Sequence, residues 1–269
     1  MFRDQGREES CLADAGHVEP FLSVAISAYN EEARIGPSLR KIVDFLEQRG
    51  YRYEIVINDD GSRDRTQEVV RSISCPHIRM LSTPQNEGKG AGVRRAVLAS
   101  RGTYVLFTDA DLSTPIEEVE RLLEKLSEGY DIAIGSRIQP DGSDMRASQP
   151  RYRRLLGKLF HSLVVLWTVR GIRDTQSGFK CFRREVAHDL FAVSVLKSII
   201  FDVEVLFLAR KRGFSVIEVP VRWTNAGGSR MQASLRHAVR VLWDLSRIPI
   251  IHRGSDSREV RKVLESRQS

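Results

Sequence analysis

The chain has 269 residues, 41% of them apolar and 29% charged, which suits one large α/β domain or two small ones with a real core. Its 42 basic and 35 acidic residues leave a net charge of +7 and a pI near 9.5, which implies an anionic partner: nucleic acid, a membrane surface or a phosphorylated substrate. Cys11, Cys75 and Cys181 show no metal-ligand spacing and point to a reducing compartment. Residues 1–19 lack an apolar signal segment, and no window of about 18 uncharged apolar residues is available to cross a membrane.

Residues 1–19 are polar and aperiodic, which predicts a disordered lead-in. An apolar run at 21–27 reads as the first strand and opens into the loop Ala28-Tyr29-Asn30-Glu31-Glu32. Ile35, Leu39, Ile42, Val43 and Leu46 recur at helical spacing over 34–48, and Gly50 stops that helix. A second strand at 54–57 runs into Asn58-Asp59-Asp60-Gly61-Ser62, after which Asp64 can cap a helix to about residue 73. A short strand at 78–81 precedes the glycine-rich turn 86–92, which enters a helix reaching Ser100. The fourth strand, 104–107, leads into Thr108-Asp109-Ala110-Asp111-Leu112-Ser113-Thr114-Pro115, followed by a helix at 116–127 and a fifth strand at 131–135. This alternation predicts an α/β fold with a parallel, doubly wound sheet and right-handed crossovers. It also gathers three acidic or glycine-rich loops at the carboxyl edge, where open sheets of this kind bind ligands.

The second half has another character. Residues 137–173 carry eight Arg or Lys and only two Asp. Within 151–169, Leu155, Leu156, Leu159, Phe160, Leu163, Val164, Leu166 and Trp167 form a broad apolar helical face flanked by Arg153, Arg154 and Lys158. A second amphipathic helix is expected over 232–248, with Leu235, Ala238, Val239, Leu242 and Leu245 opposite Arg236, Arg240 and Arg247, and with Pro249 ending it. Residues 254–269 read as a charged tail.

Each motif has a structural and a functional reading. Asp109 and Asp111 supply hard oxygen ligands suited to Mg²⁺ or Mn²⁺ with a substrate diphosphate, or they belong to a solvated strand-to-helix turn; the strand-end position argues for the former. Gly88 and Gly90 fit the start of a dinucleotide fingerprint, but Val93 replaces its third glycine, and Gly90 after Lys89 rules out a Walker loop. Lys89 is then either a solvated lysine in a flexible turn or a cation beside an anionic donor. Asp59 and Asp60 serve a turn, or accept from a base or a ribose hydroxyl. Tyr29 stacks on a base or packs in the core.

Taken together, the segments SAYNEE at 27–32, NDDGSRD at 58–64, NEGKGAG at 86–92, FTDADLSTP at 107–115, IGSR at 134–137, RDTQSGFKCFRRE at 173–185 and VPVRW at 219–223 resemble the inverting family-2 glycosyltransferases of the GT-A fold. The second-half pieces look most like the dolichyl- or polyprenyl-phosphate sugar transferases, the glucosyl branch in particular. The resemblance spans about 21–250. It implies one GT-A domain over 20–253, with a nucleotide-binding half at 20–136 and an acceptor- and membrane-facing half at 137–253.

It implies roles as well. Ser27, Tyr29, Glu31 and Asp60 would hold the nucleoside of a sugar-nucleotide donor, with Lys89 near its diphosphate. Asp111 would be the principal ligand of Mg²⁺ or Mn²⁺, and Asp109 would contact ribose or the metal. Arg137 and Arg153 would bind the acceptor phosphate, and Asp174 and Gln176 would lie near the sugar. Arg230, in Gly228-Ser229-Arg230, stands where relatives often have lysine. Ser27 replaces a frequent proline and Asn58 an apolar residue, and neither change removes a charge that the chemistry needs.

The implied reaction is in-line attack by a polyprenyl phosphate oxygen on the anomeric carbon of UDP-glucose, with inversion and loss of UDP. Such an acceptor is already an anion, so orientation matters more than a strong base; Asp111, Arg137 and Asp174 are the catalytic candidates. A lipid acceptor gives the face at 151–169 a use in peripheral contact with the cytoplasmic face of a membrane, or in self-association of the chain, whereas the face at 232–248 either meets the membrane or packs on the sheet. A GDP-mannose-dependent transferase fits the same motifs. A polysaccharide synthase fits less well, because Val219 stands where the first residue of Gln-x-x-Arg-Trp is expected. A basic nucleic-acid binder leaves the acidic strand-end loops without a purpose.

Overall fold

A computed structural model describes residues 19–139, 141, 143–145, 171–225 and 235–254. The strands are built from β-branched and aromatic residues whose side chains are buried on both faces, as a covered sheet requires. In β1 (Leu22–Ala28), Val24, Ile26 and Ala28 join one apolar layer and Ala25 the other. The same division recurs in β2 (Tyr53–Asp59), where Ile55 and Ile57 oppose Val56, and in β4 (Tyr104–Asp109), where Leu106 opposes Val105 and Phe107. With β3 (Ile78–Ser82), β5 (Ile132–Ser136), β6 (Phe179–Arg183) and β7 (Val216–Pro220), these strands form one sheet in the order β3-β2-β1-β4-β6-β5-β7.

Helices cover both faces. On one lie α1 (Ile35–Arg49), α2 (Thr66–Arg71) and α4 (Val119–Ser127), the last entered through a 3₁₀ turn at Ile116–Glu118. On the other lie α3 (Lys89–Ala99), α5 (Arg184–Val193), α6 (Phe201–Lys211) and α7 (Leu235–Ile251). Gly50 ends α1 at φ +65°, and the Asp64 carboxylate accepts from the Thr66 N–H at 3.0 Å, so both expected helix signals operate.

The expected alternation holds to β5, and β1, β2, β3 and β4 pair in parallel. The sheet is mostly parallel, as a GT-A fold implies, and β6 is its antiparallel strand. This strand comes from the second half and runs antiparallel between β4 and β5, separating two strands that alternation alone makes neighbours. Nothing local foretells the insertion, because it depends on where the chain returns after residue 171. One correction concerns α7, which passes through Pro249 and ends at Ile251. Burial of Ile248 and His252 holds its last turn, and Lys211 Nζ donates to the carbonyls of His252 and Arg253 beyond it. The expected lead-in through residue 18, the apolar helix at 151–169, and the tail from 255 lie outside the described residues, as do Arg153 and Arg230.

Candidate active site

The parallel register brings the acidic loops together. Ser27 pairs with both Asn58 and Asp109, so the ends of β2, β1 and β4 stand side by side at the carboxyl edge. Lys89, the first residue of α3, sets its Nζ 2.7 Å from Asp109 Oδ1 and 5.5 Å from the centre of the Phe107 ring. Burial opposes the Lys89 ammonium, but Asp109, Asp202 and Asp111 outweigh it and hold its pKa above the ordinary 10.5. Asp111 Oδ1 accepts from the Ser113 N–H at 3.0 Å, and its Oδ2 is 3.6 Å from Arg34 Nη1. Between them Leu112 takes φ +46°, a conformation that leucine rarely adopts and that clusters at functional loops. From the other side, the Gly178 backbone lies so close to the Asp109 carboxylate that any side chain at 178 would overlap it.

The remaining donor-side candidates have other partners in this structure. Asp60 is 1% exposed, and its carboxylate accepts from the Glu87 N–H at 3.1 Å and the Gly88 N–H at 2.8 Å, so it holds the glycine turn. Glu31 grips Arg34 with two bonds of 2.6 and 2.7 Å, and thereby steadies the arginine beside Asp111. Tyr29 and Ser27 are half-buried at the same edge. Asn58 is fully buried, and neither of its side-chain polar atoms has a partner among the described residues; nothing in the structure explains it.

The second half contributes a different group. Arg137, directly after β5, forks onto Asp174 through bonds of 2.8 Å from Nε and 2.6 Å from Nη2, and its own N–H donates to Asp174 at 2.8 Å. Burial opposes the Arg137 charge, and the Asp174 carboxylate more than restores it, raising its pKa. Glu218 on β7 accepts the N–H groups of Arg173 and Asp174 at 2.9 Å each, fixing that loop. Arg137 also lies 5.8 Å from the centre of the Trp223 ring, and the Thr224 N–H donates to the Ser113 carbonyl at 2.9 Å, closing the segment after β7 onto the aspartate loop. Gln176 is half-buried in the same loop. The structure therefore brings Asp109, Asp111, Lys89, Arg137 and Asp174 to one edge.

Sequence reasoning missed Arg34, Trp223 as an aromatic neighbour of Arg137, and a buried ion pair beneath the site. Lys180 Nζ is 2.5 Å from Asp202 Oδ1, both groups being nearly fully enclosed, and it also donates to the Ser177 carbonyl. Desolvation, the dominant influence, pushes the Asp202 carboxyl pKa up, against the pull of Lys180 and Lys89. A lysine inside the apolar stretch Phe179 to Phe182 was the available signal, since a lysine in a central strand needs a partner.

Residues 23–191 match the family model described as glycosyl transferase family 2. The chain belongs to that family. Among curated relatives, a dolichyl-phosphate beta-glucosyltransferase of Trichomonas vaginalis is 38% identical, covering 88% of this chain and 73% of the relative. One of Dictyostelium discoideum is 37% identical over 85% of this chain and 73% of the relative, and one of Saccharomyces cerevisiae is 36% identical over 81% and 71%. Among solved structures, glucosyl-3-phosphoglycerate synthase from Mycobacterium tuberculosis in complex with Mn²⁺, UDP-glucose and phosphoglyceric acid superposes with a TM-score of 0.58 at 20% identity, covering 93% of this chain and 87% of the other. That likeness shows the GT-A fold of this family-2 glycosyltransferase. Its paired carboxylates fit a divalent cation: Asp109 and Asp111 give two hard oxygen donors on one loop, and Mg²⁺ sites typically take one or two carboxylates and complete themselves with substrate phosphates and water.

Proposed function

We propose that the enzyme transfers glucose from UDP-glucose to a dolichyl or polyprenyl phosphate with inversion, releasing UDP. The observation that carries this reading is the meeting, at one sheet edge, of the Asp109–Asp111 loop and Lys89 with the Arg137–Asp174 fork. The names of the curated relatives support the lipid-phosphate acceptor and the glucosyl group. Under this reading 20–136 serves the donor and 137–253 the acceptor. Asp111, with Asp109, would hold Mg²⁺ or Mn²⁺. When bound, that cation neutralises the diphosphate and makes it a better leaving group.

The chain's own residues do the rest. Lys89 directs its ammonium to the donor diphosphate from the start of α3, where the helix dipole also favours an anion. Tyr29, Ser27 and Glu31 line the nucleoside side. Arg137, oriented by Asp174, offers its guanidinium to the acceptor phosphate, with Arg153 and Arg230 as further contacts. One acceptor oxygen forms the new bond to the anomeric carbon from the face opposite the diphosphate, and the bonding pair of the broken C–O bond leaves with UDP. Both oxygens of Asp174 are engaged by Arg137, so its role is orientation, and the anionic acceptor needs no proton removed.

No helix among the described residues is long and apolar enough to cross a membrane. Val239, Leu242, Trp243 and Ile250 nevertheless stand exposed along α7 beside Arg240 and Arg247, a pattern that supports peripheral seating on an anionic leaflet at the cytoplasmic face, together with 151–169. Assay with dolichyl phosphate and a panel of UDP- and GDP-sugars tests the reaction. Glucose transfer from UDP-glucose should dominate; transfer from GDP-mannose alone would reassign the donor, and no transfer from any sugar would overturn the reading. Flotation with anionic liposomes tests the seating, and failure to float removes it.

A further inference from the structure

Two buried titratable groups have no part in the chemistry above. Glu204, on the first turn of α6, is 0% exposed, and His252, just past the end of α7, is 2% exposed. His252 Nε2 lies 2.8 Å from Glu204 Oε1, the separation of a hydrogen bond that the ring donates. The same carboxylate accepts from the Val195 N–H at 2.9 Å and the Leu196 N–H at 3.0 Å. The segment so held reaches the donor turn: the Lys197 carbonyl accepts from the Gly90 N–H at 2.9 Å, and Lys197 Nζ pairs with Glu87 at 2.7 Å. The contact is close enough to demand glycine, since a Cβ at Gly90 would come within 2.9 Å of the Ser198 carbonyl and 2.8 Å of Phe201 Cβ. Lys89 stands between Gly88 and Gly90, and its ammonium meets Asp109.

We infer that Glu204 and His252 are positioning residues for the donor turn, forming a latch through which the end of α7 fixes the backbone that aims Lys89. The inference rests on the reading that this turn receives the sugar-nucleotide diphosphate. Its physical basis is that a carboxylate bound by two main-chain N–H groups and a ring N–H has no freedom to drift, and neither does the loop it holds. Removing the ring leaves one buried carboxylate oxygen short of a donor, and the resulting slack passes through Lys197 to Gly90. A loosened turn weakens donor binding in the ground state and the transition state alike, so it raises KM for the donor and leaves kcat nearly unchanged.

The test uses the full chain with UDP-glucose, Mn²⁺ and dolichyl phosphate, and reads donor KM, kcat and thermal unfolding together. His252→Ala should raise donor KM about tenfold, the size of one lost charge-assisted hydrogen bond. His252→Gln should recover most of that loss, because its amide can donate to Glu204. His188→Ala removes a histidine bonded to the Ser100 carbonyl elsewhere in the fold and should leave donor KM alone. An unchanged donor KM in a folded His252→Ala, or no recovery in His252→Gln, overturns the latch. Hydrogen exchange of the wild type gives a second reading that needs no variant. Donor binding should slow exchange at Gly90, Val195 and Leu196 together, and slowing at Gly90 alone overturns the inference. A wild type that neither binds nor uses the sugar nucleotide brings down the donor reading and the latch with it, whereas a competent wild type with indifferent variants brings down the latch only.

Discussion

Two Lys–Asp pairs lie close together in this enzyme and behave as opposites. Lys89 and Asp109 sit 2.7 Å apart with about a third of each side chain open, 36% and 34%. Lys180 and Asp202 sit 2.5 Å apart with 2% and 5% exposed. The open pair can exchange its partner for an incoming phosphate or cation at modest cost, because solvent screens both charges. The sealed pair cannot, because separating it strands a charge in an apolar layer. It also donates to the Ser177 carbonyl, next to the Gly178 backbone that abuts Asp109. One pair is therefore open to an incoming ion, as the proposed donor site requires, and the other is locked beside the Asp109 loop.

Breaking the sealed pair should give the largest effect. Asp202→Ala leaves Lys180 buried and unpaired and should cost about 3–5 kcal/mol in urea unfolding, whereas replacing both residues with Leu and Met should recover much of it. If Asp202→Ala unfolds like the wild type, the contrast between the two pairs collapses. On the open side, Asp111→Asn should lower transfer at least about a hundredfold while the unfolding midpoint stays near that of the wild type. Near-normal activity in that variant would remove Asp111 from the proposed cation site.

Arg137→Lys keeps the charge and loses the fork, so KM for the lipid phosphate should rise about tenfold while the donor KM holds. An equal rise in both would place Arg137 with the donor instead. Trp243→Ser should cut flotation on anionic vesicles several-fold without changing unfolding, as expected for an exposed residue. The smallest effect concerns pH. Because Asp109 and its neighbours raise the Lys89 pKa above 10.5, stability from this charge is fully present below that value and is lost only as pH rises through the raised pKa. Unfolding measured in wild type and Lys89→Met should therefore differ by a constant amount from neutral pH up to 10.5; a difference that shrinks within that range would contradict the raised pKa.

Much of the first half is legible in the chain because its causes are local. Helical spacing from Ile35 to Leu46 predicts α1, and the end of the fourth strand places Asp109 and Asp111 at the carboxyl edge of the sheet, where such folds bind ligands. Asp60 shows where such reading runs short. Its position was legible, but its partners, the N–H groups of Glu87 and Gly88, depend on how two loops meet. The second half is less legible for the same reason. Arg137 and Asp174 are 37 residues apart, and Glu204 and His252 are 48 apart, so their pairings follow from the path of the whole chain.

The alternation of strands and helices to β5, the strand-end carboxylates, the family and the basic character of the second half can all be read from the chain. Each of these follows from side-chain periodicity, turn chemistry or motif order within short spans. The packed fold sets the antiparallel entry of β6 between β4 and β5, the pairing of Lys180 with Asp202, and the bonds of Glu204 to His252 and to the N–H groups of Val195 and Leu196. Those outcomes rest on burial: a charged or polar group removed from water must find its partner wherever the fold presents one, and sequence spacing does not encode that distance.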